Sequence, residues 1–130
     1  MSNRQNIASG AKWENIIGYS RAVRIGNVLE VSGTVAVNEE GIVGKGDFYE
    51  QTRFIIDKIE GVLKQAGFSL DDVVRTRTYV TDIRQWSEVG RAHGERFGTI
   101  KPATSMIQVS GFIEPEYLVE MEVTAVRLPA

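Results

Sequence analysis

Two helical segments stand among five or six strand-like runs in this chain, and that imbalance limits its possible folds more than any other feature. From Phe48 to Ala66, apolar residues fall at 48, 55, 59, 62, 63 and 66, spacings that favour one face of a helix. Asp47 is placed to cap its start, and Gly67 to end it in the left-handed conformation. Residues 84–97 repeat the pattern through Trp86, Val89, His93 and Phe97, with Asp82 as a cap. The remaining segments read as strands. Arg21 to Asn38 holds two β-rich runs with Gly26-Asn27 as the turn of a hairpin, and Glu39 to Asp47 is a loop or a short strand followed by a loop. A strand runs from about Val73 to Thr81, and after Pro102 two more runs are joined by Ile113-Glu114-Pro115-Glu116. The order β-β-(β)-α-β-α-β-β describes one α+β domain over residues 1–130. Two helices cover only one face of a sheet this wide, so the other face must meet water or another subunit.

The outward strand faces bear on that choice. In the Val73–Thr81 run, Val74, Thr76, Thr78 and Val80 share one side, while Arg75, Arg77, Tyr79 and Thr81 share the other. In the last run, Leu118, Glu120, Glu122 and Thr124 alternate with Val119, Met121, Val123 and Ala125. A face carrying Arg75, Arg77, Tyr79, Glu120 and Glu122 is too polar for a core; water or a polar subunit interface with clefts suits it.

Composition removes several function classes. The charges, 15 Lys and Arg against 17 Asp and Glu, give a net −2 without basic clusters, which offers nucleic acid no electrostatic footprint. No apolar run approaches the ~20 residues of a membrane span, and the first 15 residues lack the apolar centre of a signal peptide, so a cytoplasmic protein is expected. The absence of cysteine and a single histidine, His93, argue against a disulfide, a thiol nucleophile or a metal centre, and no cofactor is expected. Ser32 and Ser105 are poor nucleophile candidates, because His93 is the sole base of the usual triad kind and its spacing to Trp86, Val89 and Phe97 fits a partly buried structural role. Trp13 and Trp86 read as packing residues.

Several short motifs then combine. Gly18-Tyr19-Ser20, Ser32-Gly33, Gln51-Thr52, Asp72-Val73-Val74 and Pro102-Ala103-Thr104-Ser105 occur in the order and context in which the chain resembles the RidA/YjgF/YER057c/UK114 family along nearly its whole length. The resemblance implies a chorismate-mutase-like α+β fold, a sheet of five or six strands with two helices on one face, and a homotrimer with clefts between subunits. It also implies hydrolysis of reactive enamines or imines, such as 2-aminoacrylate, to 2-keto acids and ammonia. An older label in the family is translation-inhibiting endoribonuclease.

The same resemblance assigns positions. Glu120 matches the glutamate credited with orienting or activating water, Tyr19 the tyrosine at the cleft, and Ser32 and Gly33 the pair whose backbone lines it. Ser105 lies beside the position where the deaminases carry an arginine whose planar fork holds the substrate carboxylate. This chain has Thr104 there, a neutral hydroxyl worth ~1 kcal/mol as a hydrogen-bond partner against ~1.5–3 for a charged one. Met106 and Gly90 replace a cysteine and an asparagine common in the family. Arg77 and Arg24 are the candidates for a substitute anchor; the plainer readings are an interface ion pair for Arg77 and a solvated hairpin charge for Arg24. The expected function is hydrolysis of a small reactive metabolite other than 2-aminoacrylate, or else a non-catalytic trimer whose clefts bind a small molecule or act as a chaperone-like surface. Neither reading involves membranes or nucleic acid.

Overall fold

A computed structural model describes residues 3–129. In chain order the strands are β1 (Arg4–Ile7), β2 (Ala22–Ile25), β3 (Val28–Val35), β4 (Val37–Asn38), β5 (Gly41–Ile42), β6 (Val73–Val80), β7 (Ala103–Gln108) and β8 (Val119–Val126). The helices are α1 (Phe48–Gln65) and α2 (Trp86–Phe97). Six strands form one sheet in the order β1-β2-β3-β8-β6-β7, and β4 and β5 pair separately. Every neighbouring pair in the large sheet is antiparallel except β6 and β7, which are parallel and joined through α2.

Local chemistry explains the boundaries. Asp47 accepts a hydrogen bond from the Glu50 amide at the start of α1, and Gly67 takes a φ of +86° just past its end. Gly26, at φ +57°, turns the β2–β3 hairpin as expected. Ile55, Ile56, Ile59 and Leu63 of α1, with Val89 and Phe97 of α2, pack onto Leu29, Val31, Val80, Met121 and Val123 of the sheet. Burying side chains of this size stabilises by roughly 1.5–3 kcal/mol each. β8 alternates buried and half-buried residues along its whole length, with Glu120 and Glu122 turned away from the helices.

Gln51 and Thr52 are fully buried polar residues on the core side of α1. Thr52 donates to the Phe48 carbonyl. Gln51 Nε2 donates to the carbonyls of Gly44 and Glu116, and its Oε1 accepts from the Leu118 amide. One amide side chain therefore ties the start of α1 to the segment that leads into β8.

Two expectations change, and a segment for which the sequence made no prediction gains order. Val74 does not share the core face: the register of β6 against β8 shifts between Val73 and Arg75, so Val73 is buried and Val74 is 47% exposed. Trp86 is not a packing residue; it lies in the first turn of α2, beyond the buried stripe of Val89, Ala92 and Phe97, and is 63% exposed. The polar start of the chain is partly ordered into β1, an edge strand in which Ile7 alone is buried, and into a π-helical turn at Glu14–Gly18. Among the described residues, no helix is long and apolar enough to cross a membrane.

Candidate functional site

The π-helical turn, β3, α1 and the start of β8 enclose a cavity of about 300 Å³. Glu120 lines it from β8, Gly33 from β3 and Tyr19 from the end of the turn. An added Cβ at Gly33 would lie 2.7 Å from the Glu120 carboxyl carbon and 2.8 Å from one of its oxygens, so the Glu120 carboxyl occupies the space beside β3 that a side chain at position 33 would take. Burial pushes the Glu120 carboxyl above its ordinary range; the neighbouring Glu122 carboxylate adds to the rise and Arg21 opposes it.

Two cations reach the same cavity. Arg21 leaves the turn at the Gly18-Tyr19-Ser20 motif, is 7% exposed, and donates from Nη2 to the Gly33 carbonyl at 2.8 Å. Its guanidinium lies 5.9 Å from the centre of the Tyr19 ring. Lys58 extends from α1 to the carbonyls of Val35 at 3.4 Å and Val37 at 3.0 Å. Burial, and secondarily the charge of Arg21, holds the Lys58 amine below its ordinary pKa. Trp13, Ile17, Phe112 and Tyr117 supply apolar and aromatic wall. The cavity thus combines one carboxyl whose pKa is raised by burial, two cations and an apolar flank.

The other residues singled out from the sequence lie elsewhere on the chain. Ser32 is next to Gly33 but donates to the Ser20 carbonyl and lines a neighbouring depression, which it shares with Arg77 and Glu122. Arg77 Nε is 3.9 Å from Glu122 Oε1, and the same oxygen accepts from the Tyr79 hydroxyl at 2.9 Å. Arg24 donates to the carbonyls of Gly26 and Ala66 and covers the Phe68 ring, away from the cavity. On β7, Ser105 accepts from Arg75 at 2.9 Å. Thr104 shares a 2.7 Å hydrogen bond with the buried Thr76 hydroxyl, which in turn lies 2.9 Å from His93 Nε2. Burial lowers the pKa of His93, and its ring packs against Phe97 at 4.7 Å. One chain therefore gathers Tyr19, Gly33 and Glu120 at the cavity and carries Thr104 and Ser105 on the strand at the far edge of the sheet.

Arg21 and Lys58 were not among the residues singled out from the sequence. Arg21 directly follows the Gly-Tyr-Ser motif, and Lys58 borders the apolar stripe of α1, three residues after Ile55 and one before Ile59. Those positions were the available signals.

Comparison with known proteins agrees with the fold and the motifs. The family model described as endoribonuclease L-PSP matches residues 10–127. An uncharacterised protein of Streptomyces coelicolor is 37% identical over 95% of this chain and 92% of its own length. A RutC family protein of Pyrococcus abyssi is 36% identical over 84% of this chain and 86% of its own. The crystal structure of a Mycobacterium tuberculosis member of the YjgF/YER057c/UK114 family superimposes with a TM-score of 0.87 at 47% identity, covering 95% of this chain and 99% of that one. With its sheet order, its Glu120–Gly33 contact and these matches over nearly all its length, the chain belongs to the endoribonuclease L-PSP family, that of the YjgF/YER057c/UK114 proteins.

Proposed function

We propose that this protein hydrolyses a small imine or enamine to a carbonyl compound and ammonia, with Glu120 as the proton-transfer group. The observation that carries the reading is the half-buried Glu120 carboxyl packed over Gly33 in a cavity, its pKa raised by burial. A general acid–base group works best when its pKa approaches the working pH, and burial moves a carboxyl in that direction. Glu120 takes a proton from water as the water oxygen bonds to the imine carbon, then returns it to nitrogen. Glu120 next takes the proton of the new hydroxyl and passes it to the amine nitrogen, so that the carbon–nitrogen bond breaks, ammonia leaves and a carbonyl remains. An enamine enters the same sequence after its carbon is protonated. Tyr19 and the backbone at Ser32-Gly33 form the wall that orients the intermediate.

The split between the Glu120 cavity and the β7 edge supports a homotrimer, in which Thr104 and Ser105 of one subunit complete the cavity of another. Thr104 stands where the family's deaminases carry arginine, so a substrate carboxylate is not held at that position as it is in those enzymes, which argues against 2-aminoacrylate as the main substrate. That same neutral position favours a second reading, a trimer that binds a small metabolite without turning it over. The endoribonuclease label fits the residues poorly: net charge is −2, and the single histidine is half-buried with Nε2 against Thr76.

An amino-acid oxidase that releases imino acids into solution gives the test, with keto acid and ammonia recorded beside the spontaneous rate. The protein should accelerate hydrolysis of at least one imino acid larger than 2-iminopropionate, the tautomer of 2-aminoacrylate that the oxidase forms from alanine, and Glu120→Gln should reduce the rate by about 100-fold or more. If no imino acid is hydrolysed faster than in buffer while ligands still raise the melting temperature, the binding reading replaces this one.

A further inference from the structure

We infer that Arg21 and Lys58 form an anion-binding site within the cavity, and that its ligand is a small organic carboxylate with an apolar body. Arg21 is more than nine-tenths buried, and its Nε has no hydrogen-bond partner. It forms no ion pair among the described residues, and neither does Lys58; both spend donors on backbone carbonyls of the β3–β4 segment. A buried cation without an ion-pair partner is costly, and buried Arg21 shares its cavity with a second, half-buried cation, Lys58. Glu120 is the carboxyl among the cavity's lining residues, forms no ion pair with either, and is itself biased by burial toward its neutral form. The net charge of the cavity is therefore positive by one or two units in a protein whose overall charge is −2.

An anion placed between Arg21 and Lys58 supplies the missing counter-charge. Trp13, Phe112 and Tyr117 would then face the rest of the ligand, and the 300 Å³ volume admits a body larger than a two-carbon fragment. The inference rests on the proposed hydrolase function only in setting the reacting carbon beside Glu120; anion binding stands without turnover. It also places the anchor on the cavity's own chain, away from Thr104.

Calorimetric titration of the full chain with benzoate and with benzamide, its uncharged counterpart, tests this directly. Benzoate should bind at least ten-fold more tightly than benzamide. Lys58→Met should remove most of that preference, Arg21→Gln should remove the rest, and Glu120→Gln should leave it intact or increase it. Because Arg21 also supports Gly33, Lys58→Met is the deciding variant if Arg21→Gln is unfolded by circular dichroism. Equal affinity for the two probes, binding of neither, or a benzoate preference unchanged in Lys58→Met overturns the inference. Benzoate binding together with an inactive protein in the imine assay overturns the hydrolase reading and leaves the anion site in place. Turnover of imines without benzoate preference does the reverse.

Discussion

Glu120 is held at a cost, and that cost has a sign. A carboxyl whose proton is bound more tightly in the folded chain favours folding at low pH; the contribution is complete below its ordinary value of 4.5 and is lost as pH rises through the raised folded value. Above that value the ionised Glu120 therefore works against stability. Glu120→Gln should raise the melting temperature at pH 7 by a few degrees, with the gain shrinking as pH falls toward 4.5. His93 acts the opposite way. Its folded pKa is depressed, so the unfolded chain binds the extra proton first and stability drops as pH falls below 6.5. Comparing Glu120→Gln with the parent at each pH cancels that background. Glu120 and Gly33 were legible as candidates because motifs mark them. Arg21 was not singled out: its place directly after the Gly-Tyr-Ser motif was the one signal, and its residue type alone does not tell an arginine that will be 7% exposed from a solvated one.

At the scale of elements, Gln51 shows how a helix places a strand. Its three hydrogen bonds to Gly44, Glu116 and Leu118 fix the approach to β8 two residues before Glu120. Gln51→Leu keeps the bulk and removes all three, leaving buried backbone groups without partners at about 1 kcal/mol or more each. A loss of about 3 kcal/mol in urea unfolding is expected, with weakened hydrolysis in the protein that remains folded. Both helices and the alternation of β8 were readable because each spans enough residues for its period to show. The places where reading failed are short or irregular. β1 has four residues and one buried side chain, so no period emerges. The Val73–Arg75 bulge reverses Val74 without changing composition, and Trp86 fits the helical spacing yet falls beyond the core.

For the molecule as a whole, the open sheet face decides what assembles. Arg77, Tyr79 and Glu122 form a linked polar group there, beside half-buried Glu120. If that face packs against other copies, Arg77→Glu sets a carboxylate against Glu122 in a desolvated interface, where like charges cost several kcal/mol. Sedimentation should show the parent as a trimer and Arg77→Glu as smaller species; a monomeric parent would end the trimer proposal. The two ends of the sheet differ in another respect. β1 carries Arg4 on its rim, whereas β7, Ala-Thr-Ser-Met-Ile-Gln, has neither charge nor proline and leaves Ile107 48% exposed. Such a rim is a template for adding foreign strands. A monomeric chain would thus be prone to aggregation through β7, and Ile107→Lys would place a gatekeeper against it.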